Sequence, residues 1–218
     1  MLSTTLITKI HAALERSYGL KGPRKTRGNP LDELILTILS QNTSDINSRR
    51  AFQMLRQVMP TWEEAHRASV RKVAESIDSG GLANLKAARI KAVLDRIHRE
   101  QGHFDLSFLR DLSVEEVKAY LSRFKGIGPK TVACVLLFSL GKPAFPVDTH
   151  VYRVTKRLGL VNDKASPERA QALLESMVPA AFYYSMHMNL VEHGRKTCKP
   201  RPPLCHICPL SKLCAFVR

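Results

Sequence analysis

Four cysteines near one end of the chain, Cys198, Cys205, Cys208 and Cys214, have the spacing C-x6-C-x2-C-x5-C. Four thiolates can cage an iron–sulfur cluster or a structural zinc ion. Zinc sites usually pair two short C-x2-C turns, and only Cys205 and Cys208 form one here. The pattern therefore favours a [4Fe–4S] cluster, with zinc as the alternative. Pro200, Pro202, Pro203 and Pro209 keep the intervening chain in short loops that can wrap a bulky group without a hydrophobic core. A disulfide framework would require an export route. Residues 1–14 place apolar side chains at helical spacing interrupted by Lys9 and His11, which is not the profile of a secretion signal. No apolar run approaches the roughly 18 residues of a membrane span. The sequence thus reads as a soluble, intracellular (cytoplasmic) chain with reduced thiols. Cys134, inside the apolar run Val132 to Leu140, reads as a core residue.

A second constellation runs from Leu121 to Thr131. Gly126 and Gly128 flank Ile127 in a tight turn between a helix ending near Phe124 and one starting at Pro129. Glycines accept backbone conformations that other residues resist, and they leave amide groups open. Together with the N-terminus of the following helix, such amides can hold one phosphate of a nucleic-acid backbone. A G-x-G turn by itself is more often a plain helix–helix corner. Pro129, the pair Lys130-Thr131 and the charge of the whole chain shift the reading toward phosphate. Lys and Arg number 34 against 19 acidic residues, a formal net charge of +15. That excess draws a polyanion and makes its binding salt-dependent. An acidic membrane surface competes as a partner, but no basic amphipathic helix stands out to lie on one.

Helices must position these groups. Asn29-Pro30 reads as a cap followed by proline at the first helical position, leading into Leu31, Leu34, Ile35, Ile38 and Leu39. Thr61 to Glu64 and Ser113 to Glu116 have capping-box spacing, and Ser166-Pro167 opens a further helix. Gly80-Gly81 and Gly102 punctuate the helical pattern. No alternating stretch supports a strand, and no internal repeat appears. The expected architecture is all-α, about ten helices in two lobes, with residues 21–28 as the best linker candidate.

The hairpin, the segment Val147 to Val154 with Asp148, the His193-Gly194-Arg195 lead-in and the cysteine spacing occur in an order that resembles the helix-hairpin-helix DNA glycosylases, endonuclease III in particular. The resemblance covers nearly the whole chain. It implies a lobe at residues 30–142 containing a six-helix barrel and the hairpin. Residues 1–29 with 143–218 would form the iron–sulfur cluster lobe. It implies an enzyme that flips a damaged base out of double-stranded DNA and cuts its glycosidic bond. Lys130 then stands where bifunctional members carry the lysine that attacks the sugar and forms a Schiff base. A helix N-terminus and desolvation both favour a neutral, nucleophilic amine. Asp148, 18 residues on, would stabilise the cation-like sugar and relay protons, while also serving as a helix N-cap. His150 reads as a packing residue.

A flipped base leaves a gap. The family fills it with a polar residue, usually glutamine; counting back from Asp45 puts Asn42 rather than Gln41 there, and both stay candidates. A second loop, Gly81 to Ala87, resembles the one that supplies an apolar wedge, with Leu82 at its tip and Lys86 as a further DNA contact. Gly126, Ile127, Gly128 and Thr131 would hold phosphate at the hairpin. Lys199 and Arg201 would do so on the loop ordered by the cluster, with Arg195, Lys196, Lys212 and Arg218 adding to that face. The implied activity is a bifunctional glycosylase and abasic-site lyase acting as a monomer on damaged, chiefly oxidised, pyrimidines. The rivals are a monofunctional thymine- or adenine-mismatch glycosylase, against which Lys130 counts, and a non-catalytic DNA-binding module. A cluster-bearing oxidoreductase would need a nucleotide site, and no strand followed by G-x-G-x-x-G is present.

Overall fold

The computed structural model describes residues 4–22 and 28–217. Residues 23–27 of the expected linker, and Arg218, lie outside the described residues. The protein is all-α: α1 Thr4–Tyr18, α2 Pro30–Leu39, α3 Asp45–Val58, α4 Trp62–Arg67, α5 Val70–Ser76, α6 Ala83–Gln101, α7 Val114–Ser122, α8 Pro129–Cys134, α9 Thr149–Arg157, α10 Pro167–Met177 and α11 Tyr183–Lys196, with short 3-10 turns between. No strand occurs among the described residues, and no helix there is long and apolar enough to cross a membrane.

The chain divides into two compact units, Arg27–Leu140 and Met1–Thr26 with Gly141–Arg218. In the first, α2 is the central element. Asn29 caps it, its Oδ1 accepting from the Leu31 amide at 2.8 Å and the Asp32 amide at 3.3 Å. Leu31, Leu34, Ile35, Ile38 and Leu39 are all fully buried, because α2 packs on α3, α6, α8 and the segment after α8. A helix enclosed on every side can be apolar all round. Ser113 and Glu116 form a complete capping box at α7. At Thr61 the box is half made: the Glu64 carboxylate takes the Thr61 hydroxyl at 3.3 Å, while the Glu64 amide still donates to Thr61 Oγ1 at 3.2 Å. Beyond α8 the helix widens into a π-helical run, Val135–Leu140. There Ser139 Oγ donates to Val135 O at 2.8 Å, and Arg110 donates to Ser139 O at 2.9 Å.

In the second unit α11 is flanked by α1 and α9. Ile7, Ile10 and Leu14 of α1 are fully buried. Polar stitches supplement that apolar contact: Asn189 Nδ2 donates to Gly19 O at 3.2 Å, and Tyr18 meets His193 at 2.8 Å. His11 is 6 % exposed, stacks on Phe182 at 4.0 Å and bonds Ser185 Oγ at 2.6 Å. Burial pulls the His11 pKa below its ordinary 6.5, with Glu15 partly opposing. Between the folded and unfolded values the unfolded chain binds the extra proton, so His11 favours the folded state fully above about pH 6.5 and loses that contribution as pH falls. A series of thermal melts from pH 7.5 to 5 should therefore show a shallower acid decline for His11→Gln than for the natural protein; parallel declines would remove the assignment.

Candidate active site

Within the first unit, the hairpin is anchored by side chains that point inward. Phe124 is 2 % and Ile127 6 % exposed, and the Ile127 amide donates to Phe124 O at 3.0 Å. Gly126 sits at φ +82°, and a Cβ there would overlap the Arg89 guanidinium. Gly126 and Gly128 are exposed, and their amides meet no backbone carbonyl among the described residues. Gly128 O closes the first turn of α8, accepting from Thr131 N at 2.9 Å and Val132 N at 3.1 Å. Lys130 follows Pro129 in that turn and is half-buried. No other described residue forms a hydrogen bond or ion pair with its amine.

Three residues expected to contact DNA have side chains that this geometry turns inward. Ile127 plugs the core and its amide is already used, so the hairpin offers the two glycines instead. Thr131 is 3 % exposed and lies on the inner face of α8. Lys86 is 1 % exposed, and its ammonium donates at 2.7 Å to Leu39 O and at 2.7 Å to Gly80 O. Burial lowers its pKa. It braces the protein's own loops.

The expected gap-filling residues are disposed differently. Leu82 stands 53 % exposed at the start of α6, with left-handed backbone at φ 52°. Asn42 is exposed with φ 53°, a conformation asparagine tolerates better than most residues. The Gln41 side chain is engaged, its Oε1 accepting from Arg89. Arg89 was not singled out by sequence reasoning, and its position on α6 carried no local signal.

In the second unit Asp148 caps α9. Its Oδ1 accepts from the His150 amide at 2.9 Å and the Val151 amide at 2.8 Å, so the helix start fixes the carboxylate. Behind it, Gly194 of α11 makes room: a Cβ there would stand 2.9 Å from His150 Cβ. Arg153 donates to Gly194 O at 2.8 Å, to His150 Nδ1 at 3.2 Å and to Cys198 O at 3.0 Å. Burial pulls the His150 pKa down, with the Asp148 charge partly offsetting it.

One turn further, Arg157 donates to Cys198 Sγ at 3.3 Å, Lys199 O at 2.7 Å and Pro200 O at 2.9 Å. Sequence reasoning missed this arginine pair, although its i, i+4 spacing on the helix after Asp148 was visible. Helix α9 thus presents Asp148 at one end and grips the cysteine loop with the other. Lys199 and Arg201 are exposed on that loop, whereas Lys196 pairs with Glu192 at 2.6 Å.

Cys198, Cys205, Cys208 and Cys214 all line one pocket with Leu158, Leu204 and Leu210. All four are free thiols. Among the described residues no three His, Cys, Asp or Glu side chains stand close enough to hold a single ion. Burial, reinforced by the charge of the neighbouring thiols, raises the pKa of Cys208 and Cys214. Such a set ionises together only around a positive centre. His193 is held neutral by burial, its pKa lowered to about 4. Its Nδ1 meets the Tyr18 hydroxyl at 2.8 Å and its Nε2 approaches Cys208 Sγ at 3.8 Å.

Residues 35–180 match the HhH-GPD superfamily of base excision DNA repair proteins. The chain belongs to this family. The HhH-GPD match spans the hairpin, Lys130 and Asp148 but ends before the cysteines. The chain is 35 % identical over 190 residues to endonuclease III of Thermotoga maritima, covering 87 % of this chain and 84 % of that protein. It is 44 % identical over 165 residues to the Arabidopsis thaliana protein At3g47830, covering 76 % of this chain but only 56 % of that relative's length. A solved structure of a trapped endonuclease III–DNA covalent intermediate superposes with a TM-score of 0.85 at 26 % identity, covering 100 % of this chain and 98 % of that one. This HhH-GPD chain is thus similar to endonuclease III in both sequence and fold.

Proposed function

We propose that this HhH-GPD protein is a bifunctional DNA glycosylase and abasic-site lyase that removes oxidised pyrimidines from double-stranded DNA, acting as a monomer. The observation that carries the reading is Lys130: a half-buried amine in the first turn after the hairpin, without a competing partner among the described residues. Its nitrogen attacks C1′ of the damaged nucleotide as the glycosidic bond breaks and the base leaves with the electron pair and takes up a proton. The attacking amine gives up a proton, the C1′–O4′ bond opens with O4′ taking the electron pair and a proton, and the iminium so formed loses a C2′ proton as the 3′ phosphate departs by β-elimination. Asp148 bears negative charge where the sugar becomes cation-like, and it carries protons in the imine step. Similarity to a protein caught as a covalent DNA intermediate supports this covalent chemistry. The pyrimidine preference rests on the likeness to endonuclease III. Asn42, exposed while Gln41 is engaged by Arg89, is the polar residue that fills the gap, with Leu82 as the wedge.

The four cysteines would hold a [4Fe–4S] cluster. The donor set fits: four thiols line one largely apolar pocket. When bound, such a cluster supplies the positive centre that lets the thiols ionise together and orders the loop bearing Lys199 and Arg201. Arg157 donates toward Cys198 Sγ, and His193 Nε2 lies 3.8 Å from Cys208 Sγ.

One panel of duplexes tests the function: thymine glycol, dihydrouracil, uracil, an abasic site and a G·T mismatch, each with and without borohydride. Excision of thymine glycol and a trapped adduct on it are expected. Excision of thymine from G·T with no adduct on any duplex would replace this reading with a monofunctional mismatch enzyme.

A further inference from the structure

Helix α6 touches each loop of its unit that the proposed function sends to DNA. The Lys86 ammonium holds Leu39 O and Gly80 O at 2.7 Å each. Leu39 ends α2 and leads into the loop with Asn42; Gly80 leads into Gly81 and Leu82. One turn along α6, Arg89 donates to Gln41 in the first loop and lies over Gly126 of the hairpin. Asn42 and Leu82 are also the non-glycine residues with positive φ among the described residues, at 53° and 52°. Left-handed backbone is unfavourable for L-residues and persists only where the surroundings impose it. Burial does not impose it here, because both side chains are exposed.

An ammonium enclosed to 1 % exposure costs more to bury than an apolar chain of equal length. An apolar chain would, however, leave two carbonyls facing each other without a donor and free the two loops from one another. From this juxtaposition we propose that Lys86 is a positioning residue: it ties the ends of both loops to one nitrogen, so that Asn42 and Leu82 enter the base stack as a single unit. The inference rests on the glycosylase reading above and adds to it a coupling between the two gap-filling residues. Arg89 extends the same brace to the hairpin, which sets the distance between the inserted residues and the gripped phosphate.

The experiment compares the natural protein with Lys86→Met on two duplexes, one with thymine glycol and one with a preformed abasic site. Base excision in single turnover should fall by about tenfold to a hundredfold, the scale of a misplacement near one ångström. Borohydride trapping on the abasic site, where no base has to be displaced, should change by less than about threefold, since it bypasses that step. Lys86→Gln, which keeps a donor, should recover part of the excision rate. Leu82→Ala added to Lys86→Met should cost less than the two single losses combined, as expected for residues acting through one structure. Where neither variant folds, hydrogen exchange in the natural protein decides. On binding thymine-glycol DNA, residues 40–44 and 80–84 should gain protection in parallel, and protection of one loop alone overturns the coupling. Equal losses on both duplexes, or none, also overturn it. A natural protein that neither excises nor traps would instead remove the functional reading beneath it.

Discussion

Lys130→Ala is expected to abolish borohydride trapping and to lower strand cleavage by at least about a thousandfold, the scale on which loss of a covalent nucleophile registers. The fold should survive, because the Lys130 amine contributes no hydrogen bond or ion pair among the described residues and alanine is a strong helix former. Affinity for a duplex with an uncleavable abasic analogue should stay within about threefold, since one cation among many carries only a small part of phosphate binding. Gel-resolved trapping and filter binding on the same preparations check both parts. A variant that still forms the adduct at the natural rate would move the nucleophile elsewhere.

Asp148→Asn should cut turnover by about a hundredfold, in the range that a positioned acid–base group contributes. Asparagine keeps a carbonyl oxygen for the His150 and Val151 amides that Asp148 Oδ1 holds at 2.9 and 2.8 Å. The start of α9 should therefore persist, and stability should move by less than about 1 kcal/mol, as asparagine caps nearly as well. Only the charge is lost. Should turnover stay within about twofold while the melt is unchanged, the carboxylate is a cap and nothing more, since less than ~1 kcal/mol of barrier would have been removed.

Interactions confined to a few residues were legible from the sequence. Asn29-Pro30, Ser166-Pro167 and the Ser113–Glu116 box all cap helices in the structure, because a cap joins a side chain to an amide within the next three residues. The all-α class followed from the same signals, and the order of hairpin, Asp148 segment and cysteines pointed to the family. The widened π turn after α8 did not announce itself. Its 135–140 residues look apolar and helical, and the carbonyls there find Ser139 and Arg110 only in the folded chain.

What the sequence determined by itself was the family, the helices and the residues available for chemistry. The tertiary structure alone decided which of them face out. A lysine four residues past the tip of a loop expected to meet DNA looks like a phosphate contact, yet Lys86 lies inside, bonded to a carbonyl 47 residues away. Ile127 and Thr131 turn inward because the hairpin needs an anchor. Gln41 is engaged by Arg89, 48 residues distant, and Arg153 and Arg157 reach the cysteine loop across 41–45 residues. The physical reason is common to the charged and polar residues among these. Burial and hydrogen-bond partnership of a charged or polar side chain depend on partners brought near by packing, and no spacing along the chain encodes where those partners will be.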